Sequence, residues 1–198
     1  TVAPAVAKAA MESGVAKFSI SNWEQYVIEL NKRLGLDNQI MRILGNKARR
    51  DPKRIVFAEA DNIKILKAAQ IIFDEGIGFP ILLGKEKKIR AIAEENSIDI
   101  DELPIIDPQS DEQEEKRKAY GDLFFKKRHR RGVNQYESQK AMRDRNHFGC
   151  MMVDAGEADA MISGLTKNYA DTIRPAIQII GCEEGVQKIA GMYLLLTK

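Results

Sequence analysis

The chain has 198 residues, 44% hydrophobic and 30% charged, with 31 Lys and Arg against 29 Asp and Glu for a formal net charge of +2. That balance excludes a surface built as a general nucleic-acid footprint, and the hydrophobic share excludes a disordered chain. The longest apolar runs, 79–83 and 192–196, fall far short of the roughly 20 residues of a membrane span.

Cys150 and Cys182 stand outside any Cys/His cluster, so neither a disulfide framework nor a metal site is expected, and a reducing, cytoplasmic setting is the default. At this length one core plus an appended arm is expected. The chain opens TVAPAVAKAAM, with no initiating methionine and no basic-then-apolar leader, and so reads as an excised piece of a longer protein.

Residues 1–50 read as a helical arm. Residues 4–13 are Ala-rich and stopped by Gly14. Ser21 or Asn22 can cap a second helix, on which Trp23, Tyr26, Val27 and Leu30 recur at i, i+3, i+4 and i+7 as one apolar stripe. A third helix over 37–48 runs into NKARRDPKR, where Asp51-Pro52 ends it and sets the boundary between 1–50 and 51–198.

Beyond Pro52 short apolar runs alternate with amphipathic segments, which predicts an α/β domain on a parallel sheet. A buried strand over 54–60 (RIVFAEA) leads to a helix over 61–75 closed by Gly76. A strand over 80–83, a helix over 85–96 and a short strand over 104–106, bounded by Asp107-Pro108, continue the βαβ spacing. Residues 111–131 read as one long helix, acidic at its start and basic at its end, as the macrodipole favours. Helices over 136–145 and 148–156 follow, then a strand over 158–162 running into Ser163-Gly164, a helix over 171–180 around Pro175, and a final strand over 189–196. A terminal apolar strand needs a covering helix, so residues beyond Lys198 are expected.

No phosphate loop qualifies. Gly76 and Gly78 begin a G-x-G with no third glycine, and Gly84-Lys85 lacks the Ser/Thr of a P-loop. His129 and His147 are the only histidines and no G-x-S-x-G elbow exists, so Ser/His/Asp chemistry is rejected. Two local features remain. KKRHRR at 126–131 is the densest charge cluster; a solvated helix end accounts for it, but a helix would also set Arg128 and Arg131 at i, i+3, able to close on a phosphate as guanidinium forks. Ser163-Gly164 stands at a strand's carboxyl end with Arg174 on the next helix, where α/β domains bind ligands. A plain turn and a surface ion pair account for those residues as well; alternatively, the two regions share one anion.

Within 144–180, GEADAMISG followed by ADTIRPAIQII resembles the phosphate acetyltransferase family, whose pattern is a G-x-A-D-x-x-x-S-G strand and turn and then a T-A-D-T-x-R-P-A-x-Q helix. RIVFAEADNIKILKAA is similar to that family's opening strand and helix, and 128–132 to its phosphate-site motif R-x-x-[KR]-G. The arm segment APAVAKAAMESGVA resembles the last helix of a malic enzyme's catalytic part. Together they resemble the bacterial multimodular malic enzymes, in which a malic enzyme is fused to an acetyltransferase-like domain.

The resemblance implies a three-layer parallel-sheet α/β domain over 51–198, the first half of an acetyltransferase-like domain, preceded over 1–50 by the malic enzyme's helical tail and connector. It implies an effector or phosphate site of Arg128, Arg131, Ser163, Gly164, Lys167, Thr172 and Arg174. It further implies an acetyl-CoA-sensing module that regulates NADP-dependent oxidative decarboxylation of malate without acetyl transfer of its own.

The implied partners are acetyl-CoA or a related phosphate-bearing effector, the malic enzyme catalytic domain in the same chain, and further copies in a homo-oligomer, with no nucleic acid and no membrane. NADP and Mg or Mn belong by the same resemblance to the full-length enzyme; no catalytic residue, metal or cofactor is expected here. The family's catalytic Ser, Arg and Asp would fall beyond Lys198. Lys167, Asn168 and Tyr169 stand where the family usually has His-Thr-Thr, and a cation and a phenol in place of small hydroxyls crowd or retune the phosphate site. An active phosphate acetyltransferase is the alternative, and a purely structural assembly module built on the Trp23 and Tyr26 stripe is another.

Overall fold

An Ala-rich stretch makes the first helix, α1 (Val2–Glu12), of a computed structural model that describes residues 2–32, 36–192 and 195. Asn22 opens α2 (Trp23–Lys32) by accepting the Gln25 N–H at 3.0 Å, and Trp23, Tyr26, Val27 and Leu30 are half-buried while the positions between them are exposed. Trp23 and Tyr26 meet edge to face, ring centroids 5.9 Å apart. α3 (Leu36–Arg50) follows. The backbone divides into one compact unit of residues 1–47 and 192–198 and another of residues 48–191.

In the second unit, β1 (Lys53–Phe57) leads through α4 (Ile63–Asp74) to β2 (Gly78–Leu83), and through α5 (Glu86–Glu95) to β3 (Ile105–Ile106). α6 (Glu114–Arg128), α7 (Gln135–Ala141) and α8 (Arg145–Asp154) then carry the chain to β4 (Ala160–Ile162), and α9 (Tyr169–Ile179) follows it. The four strands form one parallel sheet in the order β3-β2-β1-β4.

Alternation along the strands decides the layers. Val56 pairs with Ile81 and Phe57 with Leu82. Val56, Ile81 and Leu83 pack with Tyr120 and Phe124 of α6, Phe148 and Met151 of α8 and Ile179 of α9. Phe57 and Leu82 point the other way, onto Leu66 and Ala69 of α4 and Ile89 and Ala93 of α5. Helices therefore cover both faces of the sheet, the three-layer α/β arrangement expected.

Several boundaries depart from the sequence reading, four of them in ways that bear on the site or the topology. β1 ends at Phe57 rather than at position 60, because Glu59 turns off the sheet into the loop after β4. The single helix expected over 111–131 is a 3-10 turn (Asp111–Gln113), α6, and a second 3-10 turn (His129–Arg131). Arg128 already leaves helical geometry at φ −124°, so it and Arg131 do not share a helix face. The helix expected over 136–145 stops at Ala141, since Asp144 caps a new one. Of the strand expected over 189–196, residues 189–192 and 195 form no strand, and 193, 194 and 196 lie outside the described residues.

α6 and α7 approach closely at Gly121, where a Cβ would stand 3.0 Å from the Cα of Gln139. Gly121→Ala gains helix propensity worth about 1 kcal/mol, but the obstacle is backbone and cannot swing aside, so overpacking by about 1–3 kcal/mol exceeds the gain. The expected outcome is a lower midpoint in thermal unfolding followed by circular dichroism; an unchanged or raised midpoint would show that α7 shifts freely.

Candidate functional site

β1 runs on to β2 and β3 at one side, while β4 lies at its other side, so the carboxyl ends of β1 and β4 flank the switch point where open α/β sheets take their ligands. Two loops meet there, 58–62 after β1 and 163–168 after β4. Glu59, 5% exposed, joins them. The Gly164 and Leu165 N–H groups donate to its Oε2 at 2.8 and 2.7 Å, and the Thr166 N–H donates to Oε1 at 2.9 Å together with the Thr166 hydroxyl. Burial pushes this carboxyl up, but the four hydrogen bonds outweigh it and hold the group below its ordinary range.

Asp61 lies in the first loop, just before the Asn62 cap of α4. It accepts from Arg145 Nη1 at 2.8 Å and Lys88 Nζ at 3.0 Å, which together hold its carboxyl at about 2. The Arg145 guanidinium lies over Gly84 at the end of β2, where a Cβ would come within 3.2 Å of its Cζ, so a side chain at 84 would displace it.

Asp144 caps α8 by accepting the N–H groups of Asn146 and His147; it also lies 3.0 Å from His147 Nδ1 and accepts from Lys167 Nζ at 2.8 Å. Burial pushes Asp144 up; the His147 and Lys167 contacts prevail and keep it well below the ordinary carboxylate range. Asn146, fully buried, accepts the Ser163 hydroxyl at 2.8 Å and donates to the Asp171 carbonyl at 3.4 Å. That carbonyl lies four residues before Pro175, which has no N–H to give it, so Asn146 supplies the donor the proline lacks.

Two open clefts adjoin along this edge. One, of about 540 Å³, is lined by Glu59, Asp61, Lys140, Arg143, Arg145 and Lys167 among others; the second, of about 370 Å³, by Asp144, His147, Lys167, Asp171, Arg174 and Pro175. Asp144 and Lys167 belong to both. Every carboxylate in the first is hydrogen-bonded, whereas among the described residues Lys140, Arg143 and Arg174 have no ion-pair or side-chain hydrogen-bond partner.

Of the residues expected to bind phosphate, Lys167 and Arg174 share the second cleft. Ser163 donates to Asn146, Gly164 to Glu59, and the Thr172 hydroxyl to the Asn168 carbonyl at 3.0 Å, so their donors are spent inside the fold. Arg128 lines neither cleft, and its Nε is buried without a partner; Arg131 is exposed in the 3-10 turn beyond α6. Sequence reasoning did not single out Glu59, Asp61, Asp144, Arg145 or Asn146. The available signals were an acid directly after a buried strand (VFAEAD) and an Asp just before an amphipathic run (DRNH).

Among the described residues no three His, Cys, Asp or Glu side chains converge to hold a metal ion, so Mg or Mn does not fit them. No described helix is long and apolar enough to cross a membrane.

Residues 39–198 match the family described as phosphate acetyl/butaryl transferase. Over 197 residues the chain is 34% identical to the NADP-dependent malic enzyme of Salmonella typhimurium, covering 98% of this chain and 26% of that protein. Over 156 residues it is 35% identical to the phosphate acetyltransferase of Thermoanaerobacterium thermosaccharolyticum, covering 79% of this chain and 46% of that one. The EutD phosphotransacetylase from Staphylococcus aureus superposes with a TM-score of 0.67 and 29% identity, over 76% of this chain and 44% of that one. The chain thus spans about a quarter of the malic enzymes and under half of the acetyltransferases it matches.

Asp61 gives a pH signature. Its folded-state value lies below the ordinary 3.8, so its stabilisation is fully present above that value and is lost as pH falls through about 2. Asp61→Asn is expected to cost roughly 2 kcal/mol in urea unfolding at neutral pH, a difference from wild type that closes as the pH drops from about 4 to about 2. A difference that persists unchanged at the acid end would assign the loss to packing rather than to charge.

Proposed function

Because the chain belongs to the phosphate acetyl/butaryl transferase family, we propose that it is the effector-sensing part of a malic enzyme. It would bind acetyl-CoA or a related phosphate-bearing effector at the carboxyl edge and set the rate at which a catalytic domain on the same chain oxidatively decarboxylates malate with NADP. One observation carries this reading: the likeness to malic enzymes runs through the helical arm, 98% of the chain, whereas the likeness to the phosphate acetyltransferase covers 79%.

The site supports the same reading. Where the acetyltransferase pattern has His-Thr-Thr, Lys167 pairs with Asp144, Asn168 caps α9 by accepting the Asp171 N–H at 2.9 Å, and Tyr169 is 79% exposed. Those residues build a structural turn with a cation rather than a row of hydroxyl donors. Arg174, unpaired in the second cleft, supplies a guanidinium fork for a phosphate group. A second reading, an acetyltransferase active in its own right, draws on the 35% identity to a phosphate acetyltransferase.

Calorimetric titration with acetyl-CoA tests the proposal. Saturable binding is expected, and Arg174→Ala should weaken it about tenfold or more, the worth of a charge-assisted contact of roughly 1.5–3 kcal/mol. In the full-length protein the same substitution should move the acetyl-CoA inhibition curve by a like factor and leave uninhibited malate turnover unchanged, because an effector contact acts only on the differential affinity of two states. Formation of acetyl-CoA from acetyl phosphate and CoA by this chain would favour the second reading; an inhibition curve unmoved by Arg174→Ala would remove that arginine from the effector site.

A further inference from the structure

The loop after β4 has the form of an anion site. Three consecutive backbone N–H groups, those of Gly164, Leu165 and Thr166, converge within 2.7–2.9 Å on one pair of oxygens, and the Thr166 hydroxyl joins them. Successive N–H groups turned toward one point form the concavity that elsewhere receives phosphate. Its occupant here is a side chain of the same protein. The β1–β4 ladder closes with the Ala58 N–H donating to the Ile162 carbonyl at 3.2 Å, and Glu59 is the next residue, so strand register delivers its carboxylate to the loop.

We infer that Glu59 is the resident anion of this backbone site and the positioning residue of the 163–168 loop. A carboxylate offers about four lone-pair sites, and all four are met by this one loop, two donors to each oxygen. The Ser163 hydroxyl is turned away, to Asn146. With Glu59 in place the Gly164, Leu165 and Thr166 amides have nothing to offer a ligand, and the next side chain along, Lys167, is set against Asp144 in the lining of both clefts. Neighbouring acids do not compete for the loop, since Asp61 is taken by Arg145 and Lys88, and Asp144 by the start of α8 and Lys167. The inference rests on this geometry alone and holds whether or not acetyl-CoA is the effector.

Removing the carboxylate while keeping the donors turns the loop into an empty anion site. The whole 198-residue chain carrying Glu59→Ala is expected to unfold roughly 5 °C below wild type, for three backbone amides and a hydroxyl lose the acceptor that joins the two loops. Sodium formate, added in the millimolar range, should restore part of that loss along a saturating curve in Glu59→Ala and leave wild type unmoved, while the neutral isostere formamide restores nothing. Equal formate effects on both proteins, or none on the variant, would overturn the inference.

Glu59→Gln keeps the shape and one acceptor oxygen and covers the case in which Glu59→Ala does not fold. In its ¹H–¹⁵N spectrum the Gly164, Leu165 and Thr166 amide resonances are expected to move upfield from their wild-type positions, as N–H groups released from a carboxylate do, with other loop amides holding still. Three unmoved resonances would mean that Glu59 merely fills space.

Discussion

A carboxylate that is 5% exposed requires a donor at every lone pair, and the way Glu59 obtains its donors dictates the rest of the carboxyl edge. The sheet alone would leave the loops after β1 and β4 independent. Four hydrogen bonds across a sequence separation of more than a hundred residues make them one piece, with the last rung of the β1–β4 ladder immediately before it. From that piece the chain can place Lys167 against Asp144 and Asn168 at the start of α9. The start of α9 fixes where Arg174 emerges about one and a half turns on. Loss of the Glu59 contact would therefore be felt at Arg174 without any direct touch between the two.

Asn146 does comparable work from the opposite side. Pro175 interrupts the hydrogen-bond ladder of α9, and an interrupted helix at a partly buried edge ordinarily costs about 3 kcal/mol. The side-chain amide of Asn146 meets the stranded Asp171 carbonyl while its oxygen takes the Ser163 hydroxyl. One buried side chain so couples α8, the end of β4 and α9, and a polar network of this kind tolerates little change in any member, because a half-satisfied buried amide is worse than an apolar one.

The layering of the domain was legible in the sequence because it is a local matter: short apolar runs in RIVFAEA and PILL, helical periods between them, and breaks at Asp51-Pro52 and Asp107-Pro108 each speak within a few residues. The carboxyl-end position of Ser163-Gly164 was legible too, since a strand followed by a small-residue turn declares itself. Where their donors go was not, for the partner of Gly164 is Glu59, and nothing near either residue announces the other. The charged run 126–131 misled for the opposite reason. Its residues favour a helix one by one, but the helix ends at Arg128 through a backbone torsion that charge pattern does not encode. Asp144 read as part of a continuing helix because its capping role depends on α8 turning inward to bury Phe148 and Met151, a tertiary demand.

The charges at the two ends of the sheet tie the strands to their neighbours and frame the clefts. At the amino end three acids are closed into contacts, while the Arg128 Nε next to Lys127 is buried without a partner. Arg54 grips Asp159 through its backbone N–H and its guanidinium and reaches the Gly156 carbonyl at 2.9 Å, Glu157 holds both Lys116 and the Tyr120 hydroxyl, and Lys127 joins Asp154 at 2.6 Å. These contacts tie β1 and α6 to the entry of β4. Around the two clefts Glu59, Asp61 and Asp144 are met by backbone and by Arg145, Lys88 and Lys167, and the Asp171 carboxylate by the Asn168 side-chain amide, while Lys140, Arg143 and Arg174 have no ion-pair or side-chain hydrogen-bond partner. Cations without acids add nothing to the stability of the empty protein and repel one another weakly across the clefts. The phosphate-bearing effector proposed above would therefore be met by the side chains of Lys140, Arg143 and Arg174, since the Gly164, Leu165 and Thr166 amides are already satisfied by Glu59.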